Sequence, residues 1–178
     1  MQTWIALFRG INVGGRNILP MASLVEQLNS LKLKNVRTYV QSGNAVFESS
    51  AKTAIPMAKK IAARIDDVHG FRPHVLVLKD SELREAVASN PYFDAGLDPK
   101  TVHFFFMDDG AKTADFAGME KLKAPSENFK LAERVFYLHA PNGIGRSKLA
   151  AKVEKLFGVP TTARNLRTVQ MLLEMANA

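Results

Sequence analysis

The chain has 178 residues, 47% of them hydrophobic and 23% charged, a globular balance in a chain long enough to bury its own core. It contains no cysteine, which excludes disulfides, thiolate nucleophiles and thiolate metal sites together. The formal net charge of +7 favours anionic partners such as nucleic acid, nucleotides or phosphorylated metabolites.

In chain order, Thr3 to Phe8 reads as a strand rich in large apolar residues, followed by a Gly/Asn loop from Arg9 to Pro20. Met21, Leu24, Val25, Leu28 and Leu31 share one helix face. Val36 to Gln41 alternates as a strand does, Ser42-Gly43 signals a turn, and Ala45 to Glu48 is the returning arm. Ala58, Ile61, Ile65 and Val68 mark a second helix closed by Gly70, and His74 to Leu78 is a continuous apolar run suited to a buried strand. Asp80 is expected to cap a short helix carrying Leu83, Ala86 and Val87.

Asn90 to Lys100 holds two prolines, a glycine and two aspartates and reads as a linker. The order of elements then begins again. Val102 to Met107 is a strand, and Phe116, Met119 and Leu122 lie on a helix. Phe129 to Leu131 and Val135 to His139 form a hairpin, and Leu149, Val153, Leu156 and Phe157 face one side of another helix. Thr161 to Thr168 is expected to open a last helix running from Leu166 to Met175.

This order predicts an α+β protein made of two ferredoxin-like (β-α-β-β-α) units in series with a C-terminal helix: residues 1–89, a linker at 90–100, and residues 101–178. In a split β-α-β unit the third strand lies between the first two. The loop from Arg9 to Asn17 and the turn from Gln41 to Asn44 should therefore meet at one end of the sheet.

Those two segments are the first candidate site. The loop carries Arg9, Asn12, Arg16 and three glycines with no acid; the turn adds Gln41, Ser42 and Asn44. Glycine lets backbone N–H groups approach an anion, and the guanidinium fork matches phosphate or carboxylate. A loop that uses glycine for positive φ and asparagine for capping would look the same. Gly10, Gly14 and Gly15 do not have the dinucleotide-binding spacing.

A second basic region, Asn142 to Thr168, includes Lys148, Arg164 and Asn165. Ser147 stands there as an expected N-cap, and Glu154 is its one acid. Its glycines lack the Walker spacing, and a solvated basic helix face is the plainer account. The aromatic strands, with Trp4, Phe8, Phe104, Phe105, Phe106, Phe136 and Tyr137, lack the signature of RNA-recognition sheets and read as core. The four histidines are scattered, with only a loose Asp66–His69 neighbourhood at a helix end. No nucleophile elbow, carboxylate dyad or metal-type spacing is visible.

Two blocks, Leu7 to Gly15 and Val36 to Phe47, resemble the domain-of-unknown-function 1697 family of bacterial proteins, as do Asn90-Pro91, Ser147-Lys148-Leu149 and Thr161 to Asn165 more weakly. Phe8 stands where that family commonly has leucine. The resemblance implies a ferredoxin-like α+β architecture and no activity, substrate or catalytic residue.

The functional expectation is a cytoplasmic protein that binds a phosphate-bearing ligand, nucleic acid or nucleotide, through Arg9, Asn12, Arg16, Gln41, Ser42, Asn44, Lys148, Arg164 and Asn165. The alternative is a small enzyme acting on a phosphorylated or carboxylated metabolite, with Ser42 or Lys148 in the chemistry. No cofactor, metal or membrane partner is expected: no apolar stretch reaches the roughly 18 residues that span a bilayer, and Met1 to Arg9 lacks the basic start of a signal peptide.

Overall fold

The structure is a computed structural model and describes residues 1–41, 43–93 and 96–178. The chain forms two compact units, residues 1–85 with 171–178, and residues 86–170.

The first unit holds β1 (Gln2–Arg9), α1 (Met21–Ser30), β2 (Lys34–Tyr39), β3 (Asn44–Ser49), α2 (Ala54–His69) and β4 (His74–Lys79). The strands form one antiparallel sheet in the order β2-β3-β1-β4, the ferredoxin-like order. Alternation along β1 divides its side chains between the two faces. Trp4, Ala6 and Phe8 join Leu24 and Leu28 of α1 and Ile61 and Ile65 of α2 in one core. Ile5 and Leu7 point the other way, in register with Leu78 and Leu76, and are equally buried. Burial on both faces explains why β1 reads as an unbroken apolar run. Each of these large side chains contributes about 1.5–3 kcal/mol by leaving water.

The two helices are tied by polar contacts at the edge of this core. Gln27 is buried on α1, and its Oε1 accepts from Arg64 Nε of α2 at 2.8 Å. Ser23 Oγ lies 3.0 Å from His69 Nε2. Asp66 faces Arg72 at 3.7 Å. A short helix, α3 (Asp80–Ala88), follows β4 directly. Its opening differs from the expected Asp80 cap. Asp80 pairs with Arg84 one turn on, at 3.1 Å, while Glu82 Oε2 accepts the Lys79 N–H at 2.7 Å. The glutamate reaches back to the residue before the helix, as in a capping box.

The second unit repeats the topology. It holds β5 (Val102–Met107), α4 (Phe116–Leu122), β6 (Asn128–Ala132), β7 (Val135–His139), α5 (Val153–Phe157) and β8 (Thr161–Asn165), with strand order β6-β7-β5-β8. Two short 3-10 turns, Ile144–Arg146 and Ala150–Lys152, precede α5. Phe136 is the hub of one face, meeting Phe105, Phe129 and Phe157 at centroid distances of 5.8, 5.5 and 5.1 Å. On the other face Phe104 and Phe106 are buried, Tyr137 packs edge-on to Phe104, and the Tyr137 hydroxyl donates to Ala86 O at 2.8 Å. The aromatic strands are thus core rather than base-stacking surface.

One strand departs from expectation. Thr161 to Asn165 does not begin the last helix; it is β8, paired with β5 from Met107↔Thr161 to His103↔Asn165. Two adjacent β-branched threonines favour an extended backbone. The helix starts only at α6 (Leu166–Asn177), where Asn165 Oδ1 accepts the Thr168 N–H at 2.9 Å. Each unit is therefore β-α-β-β-α-β. No helix of the described residues is long and apolar enough to cross a membrane.

A buried histidine makes the second unit sensitive to acid. His103 is buried on β5 with its Nε2 unpartnered; desolvation, and secondarily the His139 charge, push its pKa down to about 4. In the unfolded chain an imidazole titrates near 6.5. Between these values the unfolded state holds the extra proton, so stability should fall as pH drops from about 6.5 to about 4 and the His103 contribution should level off below. Urea midpoints at pH 7 and pH 4.5 check this. The wild type should lose more than His103→Leu over that interval, and an equal loss in both would contradict the assignment.

Candidate functional site

The loop that joins β1 to α1 is shaped by its own asparagines. Asn12 and Asn17 both sit at positive φ, 54° and 51°, which short amide side chains tolerate better than most residues. Asn12 N–H donates to Asn17 O at 3.1 Å, Asn17 Nδ2 donates to Gly10 O at 2.8 Å, and Arg16 N–H donates to Val13 O at 3.1 Å. The loop is thus a small closed hairpin of its own rather than an open strand-to-helix link.

Asn12 also binds this loop to the β2–β3 turn. Its Nδ2 donates to Gln41 O, 29 positions along the chain, and to Leu19 O, both at 2.9 Å. Its Oδ1 accepts the Leu19 N–H at 2.7 Å. Phe8 N–H donates to Gly43 O at 2.8 Å. The expected meeting of the two segments is therefore present. Ser42 lies outside the described residues, so the convergence is read from Gln41, Gly43 and Asn44.

Close packing at the junction dictates glycine at 43. Its φ is +82°, and an added Cβ would stand 2.5 Å from Ile11 Cδ1 and 2.7 Å from Phe8 Cβ. At Gly14 and Gly15 a Cβ would meet nothing within 4 Å; there only backbone conformation matters.

What the platform presents to solvent is selective. Arg9, Arg16 and Gln41 are exposed, Asn12 is half-buried and Asn44 is fully buried. The Asn44 amide donates to Tyr39 O at 2.9 Å inside the hairpin. The first acidic residue of the chain is Glu26, so no carboxylate from either segment offsets the arginines. Three apolar side chains are also exposed here: Val13, Ile18 and Val40 at 66%, 58% and 48%. Val40 has φ +50°, a costly conformation for a β-branched residue. Val13 and Ile18 fall outside any helical or alternating period, and their place inside a Gly/Asn loop is the available signal; Val40 reads in the sequence as part of the Val36–Gln41 strand, whereas β2 ends at Tyr39.

Lys148, Arg164 and Asn165 belong to the second unit. Lys148 is exposed beside Arg146, and Ser147 Oγ accepts the Ala150 N–H at 3.0 Å at the start of the Ala150–Lys152 turn, whereas the N-cap position of α5 is Lys152 rather than the expected Ser147. Lys152 and Lys155 are exposed as well. The region's acid, Glu154, accepts the Thr161 N–H at 2.8 Å. Arg164 is only half exposed; its Nη1 donates to Ala163 O at 2.8 Å, and burial pushes its pKa down to about 10, which leaves it charged at neutral pH. Asn165 spends its oxygen on capping α6. Among the described residues no group of three His, Asp or Glu side chains is placed to hold a metal ion.

The sequence profile described as protein of unknown function (DUF1697) matches residues 1–137. Among solved structures the chain is similar to the conserved bacterial protein SP0830 from Streptococcus pneumoniae, with 22% identity and a TM-score of 0.71 over 98% of each chain. At that identity the likeness establishes the fold. No curated protein matches the chain.

Proposed function

We propose, for a chain that belongs to the family of proteins of unknown function DUF1697, that the first unit is a binding module for the phosphate backbone of nucleic acid. The observation that carries this reading is the pair of exposed arginines, Arg9 and Arg16, on a two-segment platform without a carboxylate. Phosphate oxygens are recognised by such guanidinium forks and by backbone N–H groups in glycine-rich loops. Gln41 supplies a further exposed polar side chain, and Asn12 acts as a positioning residue that holds the two segments in register. Val13, Ile18 and Val40 offer apolar surface on which sugars or bases can rest.

Both arginines are exposed, a placement that suits the backbone of an extended polyanion. The chain's net charge of +7 adds long-range attraction. Fluorescence anisotropy with a labelled single-stranded oligonucleotide at low salt tests the proposal. Arg16→Glu should weaken binding about tenfold or more, because a charge-assisted contact worth about 1.5–3 kcal/mol becomes a repulsion. Lys59→Glu makes the same change in net charge on α2 and should have a much smaller effect. Equal losses from the two variants would reduce the effect to overall charge and remove the site.

A further inference from the structure

We propose that a separate cavity in the first unit binds a small amphipathic carboxylate, with its apolar body on Leu33, Met57 and Ile61 and its headgroup between Lys52 and Lys60. The inference is independent of the nucleic-acid reading, because the two sites share no residue. The cavity measures about 300 Å³ and is walled by the link from α1 to β2, the end of β3 with the segment after it, and the first turns of α2. It therefore sits at the Gln2–Ser49 end of the β1–β3 pair, whereas the loop platform sits at the Leu7–Asn44 end.

The lining divides by chemistry. Leu33, Met57 and Ile61 are core residues, exposed by only 6%, 6% and 1%, and they form the floor. Lys52, Thr53 and Lys60 are exposed and form part of the rim. Among the described residues no acidic side chain lines the cavity and neither lysine takes part in an ion pair. An apolar floor with an unneutralised cationic rim selects a ligand with an apolar body and one anionic end.

The start of α2 agrees with this charge preference. Thr53 precedes the helix without making a side-chain capping bond, and the first turn contains no acid. A ligand carboxylate at the rim would supply the negative charge that helix starts favour. A neutral ligand of the same length would fill the floor but leave both lysines unpaired, so the carboxylate sets the specificity. The volume lies at the lower edge of the range of small-molecule sites, which fits a medium-length chain rather than a cofactor.

Isothermal titration of the whole chain with octanoate as probe, and with octanol as its neutral counterpart, decides the matter. Saturable octanoate binding is expected, with octanol weaker by about tenfold or more, the loss of one charge-assisted contact. Lys60→Glu, a surface change that leaves the core intact, should weaken octanoate by at least that factor. Met57→Trp should abolish binding by filling the floor; should it unfold, the Lys60→Glu comparison still decides. Absence of octanoate binding, octanol binding as tight as octanoate, or indifference to Lys60→Glu would each overturn the proposal. Oligonucleotide binding should survive Lys60→Glu, so failure here and failure of the loop platform are separately visible.

Discussion

Gly43→Val should be the most damaging single change near the candidate site, lowering stability by about 3 kcal/mol or more. Two independent costs add. The residue occupies φ +82°, where a side chain other than glycine costs roughly 1–2 kcal/mol. Its Cβ would also stand 2.5 Å from Ile11 Cδ1 and 2.7 Å from Phe8 Cβ. Ile11 and Phe8 are each only 1% exposed, so they cannot swing outward, and overpacking of this kind costs about 1–3 kcal/mol. Gly10→Ala is the control: φ is +78°, but the Cβ would meet open space, so only the first cost applies. Urea denaturation of both variants separates the two terms. Equal losses would mean that the Ile11–Phe8 junction yields and that the two loops are not held as described.

Asn12→Ala comes second, with an expected loss of about 2–4 kcal/mol. The substitution removes two donated bonds, to Leu19 O and Gln41 O, and one accepted bond from the Leu19 N–H. The last matters most, because Leu19 is fully buried and an orphaned buried N–H costs about 1–3 kcal/mol. The bond to Gln41 O is solvent-exposed and adds little. Alanine at φ +54° adds roughly 1 kcal/mol of backbone strain. Hydrogen exchange at the Leu19 amide should accelerate more than at the β1 amides. Asn12→Asp keeps the acceptor but sets a carboxylate against two carbonyls, so it should be no milder than alanine. If Asn12→Ala were neutral, Asn12 would not be the tie between the segments.

Much of this architecture is legible in the residues because each element buries one stripe or one face. Leu24 and Leu28, then Ile61 and Ile65, carry the helical period into the core in which they are found. The repeated order of periods yields two ferredoxin-like units. β8 escaped because Thr161 to Asn165 is short, polar at both ends and continuous with a strong helical pattern; its strand character comes from pairing with β5, a long-range partner. The opening of α3 escaped for a local reason, since Asp80 and Glu82 are both plausible caps and only geometry chooses between them.

For the site, topology predicted the meeting of loop and turn, but not the division of labour within it. Asn12, Asn44 and Asn165 look like ligand-binding amides in the sequence, yet each has its side chain engaged with backbone groups. Those partners are carbonyls and amides whose positions exist only once the loops have folded, so residue types could not reveal them. The arginines are the reverse case. Arg16 needs no special geometry to be exposed on an acid-free loop, and its exposure follows from the loop's composition.

The central claim is that the loop platform engages phosphates, and the salt dependence of binding tests it most directly. A labelled single-stranded oligonucleotide is titrated from about 50 to 200 mM salt, a range over which multi-phosphate contacts weaken strongly. The wild type should give a straight log–log plot of negative slope, each contact on single-stranded nucleic acid contributing about −0.7. Arg16→Glu should be shallower by about one contact and weaker throughout. No binding at low salt, or a slope unchanged by Arg16→Glu, would contradict the account.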